Sequence, residues 1–257
     1  MIVVLDGYTL NPGDLNWTPL TDLDPDCRIH DHTPPDRAAD RAADAEIVLT
    51  NKTPLPGDVI DALGRLRYIG CLSTGYNVVD LDAANRRGIV VTNVPDYATA
   101  AVAQFTMALL LELCHRIGLH NRSVQDGEWS AGRDFCYWKS DLVELDGLTF
   151  GVVGYGRIGR AAAGLARAFG MRVVATSRSE IDDAGVDQMP LPDLLAASDV
   201  VSLHCPLTPE SEGMIGRDQL AAMKPSALLI NTSRGPLIDE PAVAEALRTG
   251  RIAAAAL

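Results

Sequence analysis

Lysine is scarce in this 257-residue chain: Lys52, Lys139 and Lys224 are the only three, against 19 arginines. Acids outnumber bases 34 to 22, and 25 of the acids are aspartate, giving a formal net charge of −12. Such a surface repels polyanions, which argues against nucleic acid or an anionic membrane as a partner. The Asp and Arg excess fits either a GC-rich genome or a salt-adapted surface. No apolar run reaches the roughly 18 residues of a membrane span. The longest candidate, Ala100 to Leu113, is interrupted by Gln104, Thr106 and Glu112. The opening residues, Met1-Ile2-Val3-Val4-Leu5-Asp6, carry no basic region or cleavage site and read as a strand. Cys-x-x-Cys spacing is absent. Cys27, Cys71, Cys114, Cys136 and Cys205 are odd in number and scattered, which argues against a disulfide framework or zinc site and fits a reducing, cytoplasmic setting. There is no solenoid-period repeat and no low-complexity segment. The length suits two domains of ordinary size.

What is present is concentrated in residues 147–178. Gly147-Leu148-Thr149-Phe150-Gly151-Val152-Val153 reads as a buried strand that runs into Gly154-Tyr155-Gly156-Arg157-Ile158-Gly159. An alanine-rich helix follows to Phe169, then a second apolar strand, Met171 to Thr176. A G-x-G-x-x-G motif has meaning only in this strand–turn–helix–strand context. The first glycine allows the tight turn, the second lets backbone approach a pyrophosphate, and the third lets helix pack on strand. The helix N-terminus offers unpaired N–H groups to phosphate. An ordinary strand-to-helix turn is the plainer alternative; the complete context favours dinucleotide binding.

The end of the second strand bears on which dinucleotide. An NAD site usually has Asp or Glu about 20 residues past the motif, on the ribose 2′-hydroxyl. Here the place is held by Ser177, followed by Arg178 and Ser179. No carboxylate stands there to repel a 2′-phosphate, and a guanidinium is at hand to pair with one. The alternative is a solvated loop arginine. NADP(H) is therefore expected over NAD(H). On so acidic a chain an anionic cofactor needs a local basic patch, which Arg157, Arg178 and Arg234 supply.

The first part alternates strand candidates (Met1–Asp6, Arg28–Asp31, Ala45–Thr50, Arg67–Leu72, Gly88–Asn93) with helix candidates (Asp36–Asp44, Asp58–Leu66, Leu81–Arg87). That alternation predicts a small parallel sheet with helices on its faces. A turn at Asn93-Val94-Pro95-Asp96 closes it. A long amphipathic helix, Thr99 to Ile117, is then expected as a hinge into the second domain. A Gly- and Trp-containing loop, Gln125 to Asp141, precedes the dinucleotide unit. Further strands are predicted at Asp199–His204, Ala227–Asn231 and Ile252–Leu257, with helices near Leu191–Ala197 and Glu240–Thr249.

Three more segments fall at predicted strand ends, where open α/β sheets bind ligands. Ser73-Thr74-Gly75-Tyr76-Asn77 is a turn of small residues whose backbone N–H groups suit a carboxylate, or else a plain loop. His204-Cys205-Pro206-Leu207-Thr208 ends another strand; Pro206 either shapes backbone against a ribose or simply terminates the strand. Asn231-Thr232-Ser233-Arg234-Gly235-Pro236 places an arginine at a strand tip, suited to a carboxylate or a carbonyl oxygen.

Taken in order, these segments resemble the D-isomer-specific 2-hydroxyacid dehydrogenases over the whole chain. Within that family the run Ser73 to Asp80 and the loop Gly127-Glu128-Trp129 through Asp134-Phe135-Cys136-Tyr137-Trp138 resemble the glycerate dehydrogenase, or hydroxypyruvate reductase, branch. The resemblance implies an α/β fold of two doubly wound parallel-sheet domains: a flavodoxin-like substrate domain over 1–97 and a Rossmann dinucleotide-binding domain over 98–257. It implies reduction of a small 2-oxo acid, hydroxypyruvate or glyoxylate, to the D-2-hydroxy acid, and a homodimer joined through the second domain. Ser73, Thr74 and Gly75 would bind the substrate carboxylate, and Arg234 would be the catalytic arginine. Gly154, Gly156, Arg157, Ile158 and Gly159 would hold the cofactor, with Ser177, Arg178, Ser179, Cys205, Pro206, Thr232 and Ser233 lining it. The aromatic loop reads as substrate contact or as an interface plug.

One departure counts against activity. The family continues past a strand like Arg251 to Leu257 into a catalytic Glu and then a catalytic His, and none of His30, His32, His115, His120 or His204 lies in that context. His204 is expected to be structural. The sequence stops inside an apolar run, so the expectation is a truncated chain, both of whose domains are incomplete and whose turnover is nearly lost. The rival readings are a non-catalytic dinucleotide-binding module and an inactive fragment.

Overall fold

Runs of three to five apolar, largely β-branched residues recur through the chain, and in the computed structural model, which describes residues 1–257, they form central parallel strands. The chain divides into two units, Met1–Tyr97 and Ala98–Leu257. In the first unit the strands are β1 (Ile2–Val4), β2 (Arg28–Ile29), β3 (Ile47–Thr50), β4 (Tyr68–Cys71) and β5 (Val90–Thr92), in the order β2-β1-β3-β4-β5, all parallel. This is the flavodoxin-like order, with its switch point between β1 and β3. Helices α1 (Thr18–Leu23), α2 (Ala38–Ala42), α3 (Gly57–Ala62) and α4 (Leu81–Arg86) complete the unit. Asp80 caps α4 by accepting from the Ala83 N–H at 2.9 Å, which satisfies one of the orphan donors of a helix start.

The second unit opens with α5 (Thr99–His115), α6 (Ile117–Gln125) and α7 (Glu128–Ala131). Strands β6 (Thr149–Val153), β7 (Arg172–Thr176), β8 (Val186–Gln188), β9 (Val200–Leu203), β10 (Leu228–Asn231) and β11 (Ala254–Ala256) form one parallel sheet in the order β11-β10-β9-β6-β7-β8. Its helices are α8 (Arg157–Ala168), α9 (Leu191–Ala197), α10 (Arg217–Ala222) and α11 (Glu240–Arg248). The order reverses between β6 and β9, as in a Rossmann sheet. Both faces are covered, which is why the strands read as continuous apolar runs rather than alternating ones. Phe150, Val152, Val200 and Ile230 pack under α5 and α8; Val153, Val201, Leu203 and Leu229 pack with Leu194, Leu220 and Val243 of the opposite helices.

The helix expected to lead into the second domain lies in the core of the second unit. Ala103, Met107, Leu110 and Cys114 of α5 belong to the core of the second unit, against Ala162, Ala163 and Ala166 of α8. No single helix is long and apolar enough to cross a membrane. The predicted helix to Ile117 ends at His115 because Arg116 adopts a left-handed backbone (φ 48°), where α6 begins. A non-glycine residue there costs about 1–2 kcal/mol, and no glycine or proline marks the break in the sequence. Five further elements lie outside the predicted set: α1, α6, α7, β8 and α10. All but the nine-residue α6 are short or lie at a sheet edge, and β8, Val-Asp-Gln, has no apolar run at all. The predicted helix Asp36–Asp44 is a 3-10 turn, Pro35–Arg37, followed by the five residues of α2.

Candidate functional site

At the switch point of the second unit the backbone is crowded. Val153 closes β6 opposite Leu203 of β9, and the His204 N–H donates to the Val153 carbonyl at 2.8 Å. Gly154 follows with φ +97°, and a Cβ built on it would stand 2.7 Å from the Cys205 nitrogen. A Cβ on Gly159 would stand 2.2 Å from the Gly154 carbonyl oxygen. Side chains are excluded at both positions by the protein itself. Gly156 differs: a Cβ there would meet nothing within 4 Å. It precedes Arg157 as the N-cap of α8 and provides no capping side chain. Open space at an uncapped helix N-terminus, bounded by two obligatory glycines, fits a dinucleotide pyrophosphate. Ile158 is half-buried in the same first turn.

Cys205 and Pro206 therefore stand beside the glycine turn, as the sequence placed them at the end of β9. Burial pushes the Cys205 thiol up, and its Sγ approaches Met214 Sδ at 3.6 Å, so it is a packed thiol rather than a thiolate. His204 accompanies them. Its Nε2 pairs with Ser202 Oγ at 2.9 Å, while Nδ1 is buried without a partner. Burial lowers the imidazole to about 4.

The next strand end is organised by Asn231. Its Nδ2 donates to the Arg234 carbonyl at 2.8 Å and its Oδ1 accepts from the Ser233 N–H at 3.1 Å. Ser233 Oγ donates to the Leu203 carbonyl at 3.1 Å, and Thr232 Oγ1 meets Thr106 Oγ1 of α5 at 3.1 Å. The turn is thus tied to both β9 and α5, with Arg234 half-buried at its tip, donating from Nη1 to the Ser233 carbonyl at 2.9 Å. A guanidinium has five donors, and this one is aimed by a fixed backbone.

Past β7 the chain turns through Ser177, Arg178 and Ser179; Arg178 and Ser179 are exposed, and the Ser179 N–H donates to Ser177 Oγ at 3.3 Å. Arg178 lies near the turn after β9. Glu210 there is held below the usual carboxylate range first by the Thr208 hydroxyl, then by its own backbone, with the Arg178 charge adding to both.

In the first unit, Ser73-Thr74-Gly75 leaves the end of β4. The Ser73 hydroxyl donates to the Gly75 carbonyl at 2.7 Å, Thr74 Oγ1 donates to the Val94 carbonyl at 3.1 Å, and Asn93 Nδ2 donates to the Thr74 carbonyl at 2.8 Å. The Ser73 carbonyl accepts from the Val94 N–H at 3.1 Å. These bonds use carbonyls and hydroxyls, and leave the N–H groups of residues 73–75 out. The turn after β3 is the opposite case. Asp6 accepts from the N–H groups of Asn51 at 2.8 Å and Thr53 at 2.9 Å, and from that of Lys52, so a carboxylate of the protein already fills that cradle. Asp6 and Asn231 were not singled out in the sequence; an Asp or Asn at the last residue of an apolar run is the signal that points to both.

An open α/β sheet with a glycine cradle at its switch point and polar turns at the neighbouring strand ends defines a dinucleotide-binding α/β protein. The sequence profile of the D-isomer specific 2-hydroxyacid dehydrogenase, NAD binding domain, matches residues 107–257. The chain is 46% identical to the hydroxypyruvate reductase of Blautia hydrogenotrophica, over all of this chain and 81% of that protein. It is 40% identical to the glycerate dehydrogenase of Methylorubrum extorquens, over 86% of this chain and 69% of that protein. Among solved structures, an acyclic imino acid reductase (Bsp5) in complex with NADPH and D-Arg superposes with a TM-score of 0.86 at 28% identity, over 99% of this chain and 81% of that one. The chain belongs to the D-isomer specific 2-hydroxyacid dehydrogenase family.

Two outcomes test this geometry. Gly156→Ala is expected to cost no more than about 1 kcal/mol in urea unfolding, the preference for glycine over alanine at an N-cap, since the new methyl itself enters open space. The same variant is expected to weaken NADPH binding by about tenfold or more in a fluorescence titration, because that space is where the phosphates approach.

The second outcome concerns pH. His204 is depressed to about 4 from 6.5. Between those values the unfolded chain binds a proton that the folded chain does not, so stability falls as pH falls through this window and levels off below about 4. Its share between pH 7 and 5 is about 2 kcal/mol. Comparison of urea midpoints at the two pH values should show a smaller drop for His204→Gln than for the parent.

Proposed function

We propose that the chain reduces hydroxypyruvate or glyoxylate to the D-2-hydroxy acid, with NADP(H) favoured over NAD(H). The observation that carries this reading is Arg234, held at the tip of β10 by Asn231 beside a glycine cradle in the same unit. The bound reduced cofactor supplies a hydride to the carbonyl carbon. Arg234 would bind the substrate and polarise its carbonyl oxygen. The unused N–H groups of Ser73, Thr74 and Gly75 would take the carboxylate. Gly154, Gly156, Arg157, Ile158 and Gly159 would hold the pyrophosphate, with Cys205, Pro206, Thr232 and Ser233 along the cofactor. Ser177, Arg178 and Ser179 would take the ribose 2′-phosphate.

A second reading, a dinucleotide-binding module without turnover, is favoured by one specific observation. The histidine beside the cradle is half-buried with its Nδ1 out of solvent, is neutral with a pKa of about 4, and does not serve as a proton donor at neutral pH. General acid catalysis typically contributes about 10²- to 10⁴-fold, so residues 1–257 are expected to bind tightly and turn over slowly. The test is NADPH oxidation driven by hydroxypyruvate and by glyoxylate. Slow turnover that Arg234→Ala reduces about 100-fold further supports the reductase. NADPH binding with no turnover, unchanged by Arg234→Ala, supports the module.

We also propose a homodimer formed through the second unit, in the cytosol. Phe135 is 89% exposed, and Trp129, Trp138 and Leu142 are more than half exposed, an apolar patch of the kind that marks an interface. Light scattering at micromolar concentration is expected to give twice the chain mass; Phe135→Asp with Trp138→Asp is expected to give the monomer.

A further inference from the structure

We propose that Gln188, with Asp183 as a second anchor, is a positioning residue that fixes the Ser177–Ser179 turn and thereby sets how strongly the site distinguishes the ribose 2′-phosphate from the 2′-hydroxyl. The inference rests on the reading above that this turn faces the ribose.

The turn has little packing to hold it. Arg178, Ser179 and Glu180 are exposed, so side-chain hydrogen bonds must supply what apolar contacts do not. Gln188 lies on the edge strand β8, opposite Ala175 of β7. Its Nε2 donates to the carbonyls of Ser177 at 3.2 Å and Ser179 at 3.0 Å, the two residues that flank Arg178. Its Oε1 accepts from the Ile181 N–H at 2.8 Å. One amide thus closes three bonds across five residues. An exposed glutamine would be equally well hydrated if it pointed outward, so its capacity turned wholly onto this turn identifies the turn as what it serves.

Asp183 ties the far side of the same loop to the pyrophosphate turn. It accepts from the Tyr155 hydroxyl at 2.7 Å, from both terminal nitrogens of Arg167 on α8 at 2.9 and 3.3 Å, and from the Gly185 N–H at 3.1 Å. Arg167 first, then Tyr155 and Gly185, hold its carboxyl well below the usual carboxylate range. Burial, then the bond to Asp183 and its charge, pushes the Tyr155 phenol up to about 12, so it remains a donor at any working pH. Tyr155 is the second residue of the glycine turn, and its ring lies under the Arg160 guanidinium at 5.2 Å. The segment that reads the ribose is therefore built onto the segment that reads the phosphates.

The experiment uses the full chain and nicotinamide fluorescence titrations of NADPH and NADH with Gln188→Met, Arg178→Ala, the double variant and Tyr155→Phe. Methionine keeps the length of glutamine and removes all three bonds. Gln188→Met is expected to weaken NADPH by about three- to tenfold and NADH by less than about twofold. In the Arg178→Ala background it is expected to have a clearly smaller effect on NADPH, since only Ser177 and Ser179 remain to be positioned. Tyr155→Phe is expected to shift the NADPH-to-NADH ratio in the same direction by a smaller factor. The proposal is overturned if Gln188→Met leaves that ratio unchanged, or if its effect adds fully to that of Arg178→Ala. If the parent shows no NADPH preference and Arg178→Ala changes neither titration, the cofactor reading has failed and this proposal falls with it. The Arg178→Ala arm tells the two failures apart.

Discussion

The approach of Gly154 to the Cys205 backbone is the contact on which the second unit's site depends. A single Cβ at Gly154 would lie within 2.9 Å of the nitrogen, Cα and Cβ of Cys205. That closeness follows from register: Val153 faces Leu203, and the His204 N–H extends the ladder by one bond beyond the named strands. The sheet is consequently still paired where the glycine turn begins, and the turn has no freedom to drift. The same crowding pushes the Gly159 end of α8 against the Gly154 carbonyl, which aims the helix axis, and its positive end, at the space in front of Gly156. Two glycines serve packing so that the third can serve a ligand.

Charge follows a similar division. A chain with a net charge of −12 repels a dinucleotide at long range, so the binding edge must supply its own attraction. In the proposed site that attraction would come from backbone N–H groups and the α8 terminus, which carry no net charge, and from Arg178 and Arg234. The two differ in restraint: Arg178 is exposed and only its charge reaches Glu210, whereas Arg234 donates to its neighbour's carbonyl. Arg167 is fully engaged by Asp183. The arginine-for-lysine bias suits such sites, since a planar fork loses less freedom per bond than an ammonium on a flexible stem.

The fold was legible in the sequence because parallel strands covered on both faces leave continuous apolar runs. Ile2-Val3-Val4, Phe150-Gly151-Val152-Val153 and Leu228-Leu229-Ile230 could hardly be anything else, and the two doubly wound sheets follow from their alternation with helices. Most predicted strand ends overshot by one or two residues because flanking apolar residues such as buried Leu5 and half-buried Leu72 pack on the core without pairing in the named strands. The glycine cradle was legible because steric demands at Gly154 and Gly159 are local. The Gln188–Ser177 and Asp183–Tyr155 bonds were not. They span 11 and 28 residues, rest on polar side chains with no periodic pattern, and involve a strand, β8, that has no apolar signal of its own.

The two turns of the first unit show why geometry adds something that composition cannot. Asn51-Lys52-Thr53 and Ser73-Thr74-Gly75 are both short polar turns at the ends of neighbouring strands, and Leu72 donates to Thr50 to hold them side by side at 2.8 Å. The first also contains a lysine. In the fold its N–H groups converge on Asp6, and any second anion arriving there would face that buried carboxylate. The Ser73 turn reverses the logic. Its hydroxyls and the Asn93 amide are spent on carbonyl oxygens, which orients the peptide planes while leaving their N–H ends unused. Asp6 thus does more than brace β1 against β3: it closes the Asn51–Thr53 turn to a second anion, while the bonds of the Ser73 turn leave its N–H groups out.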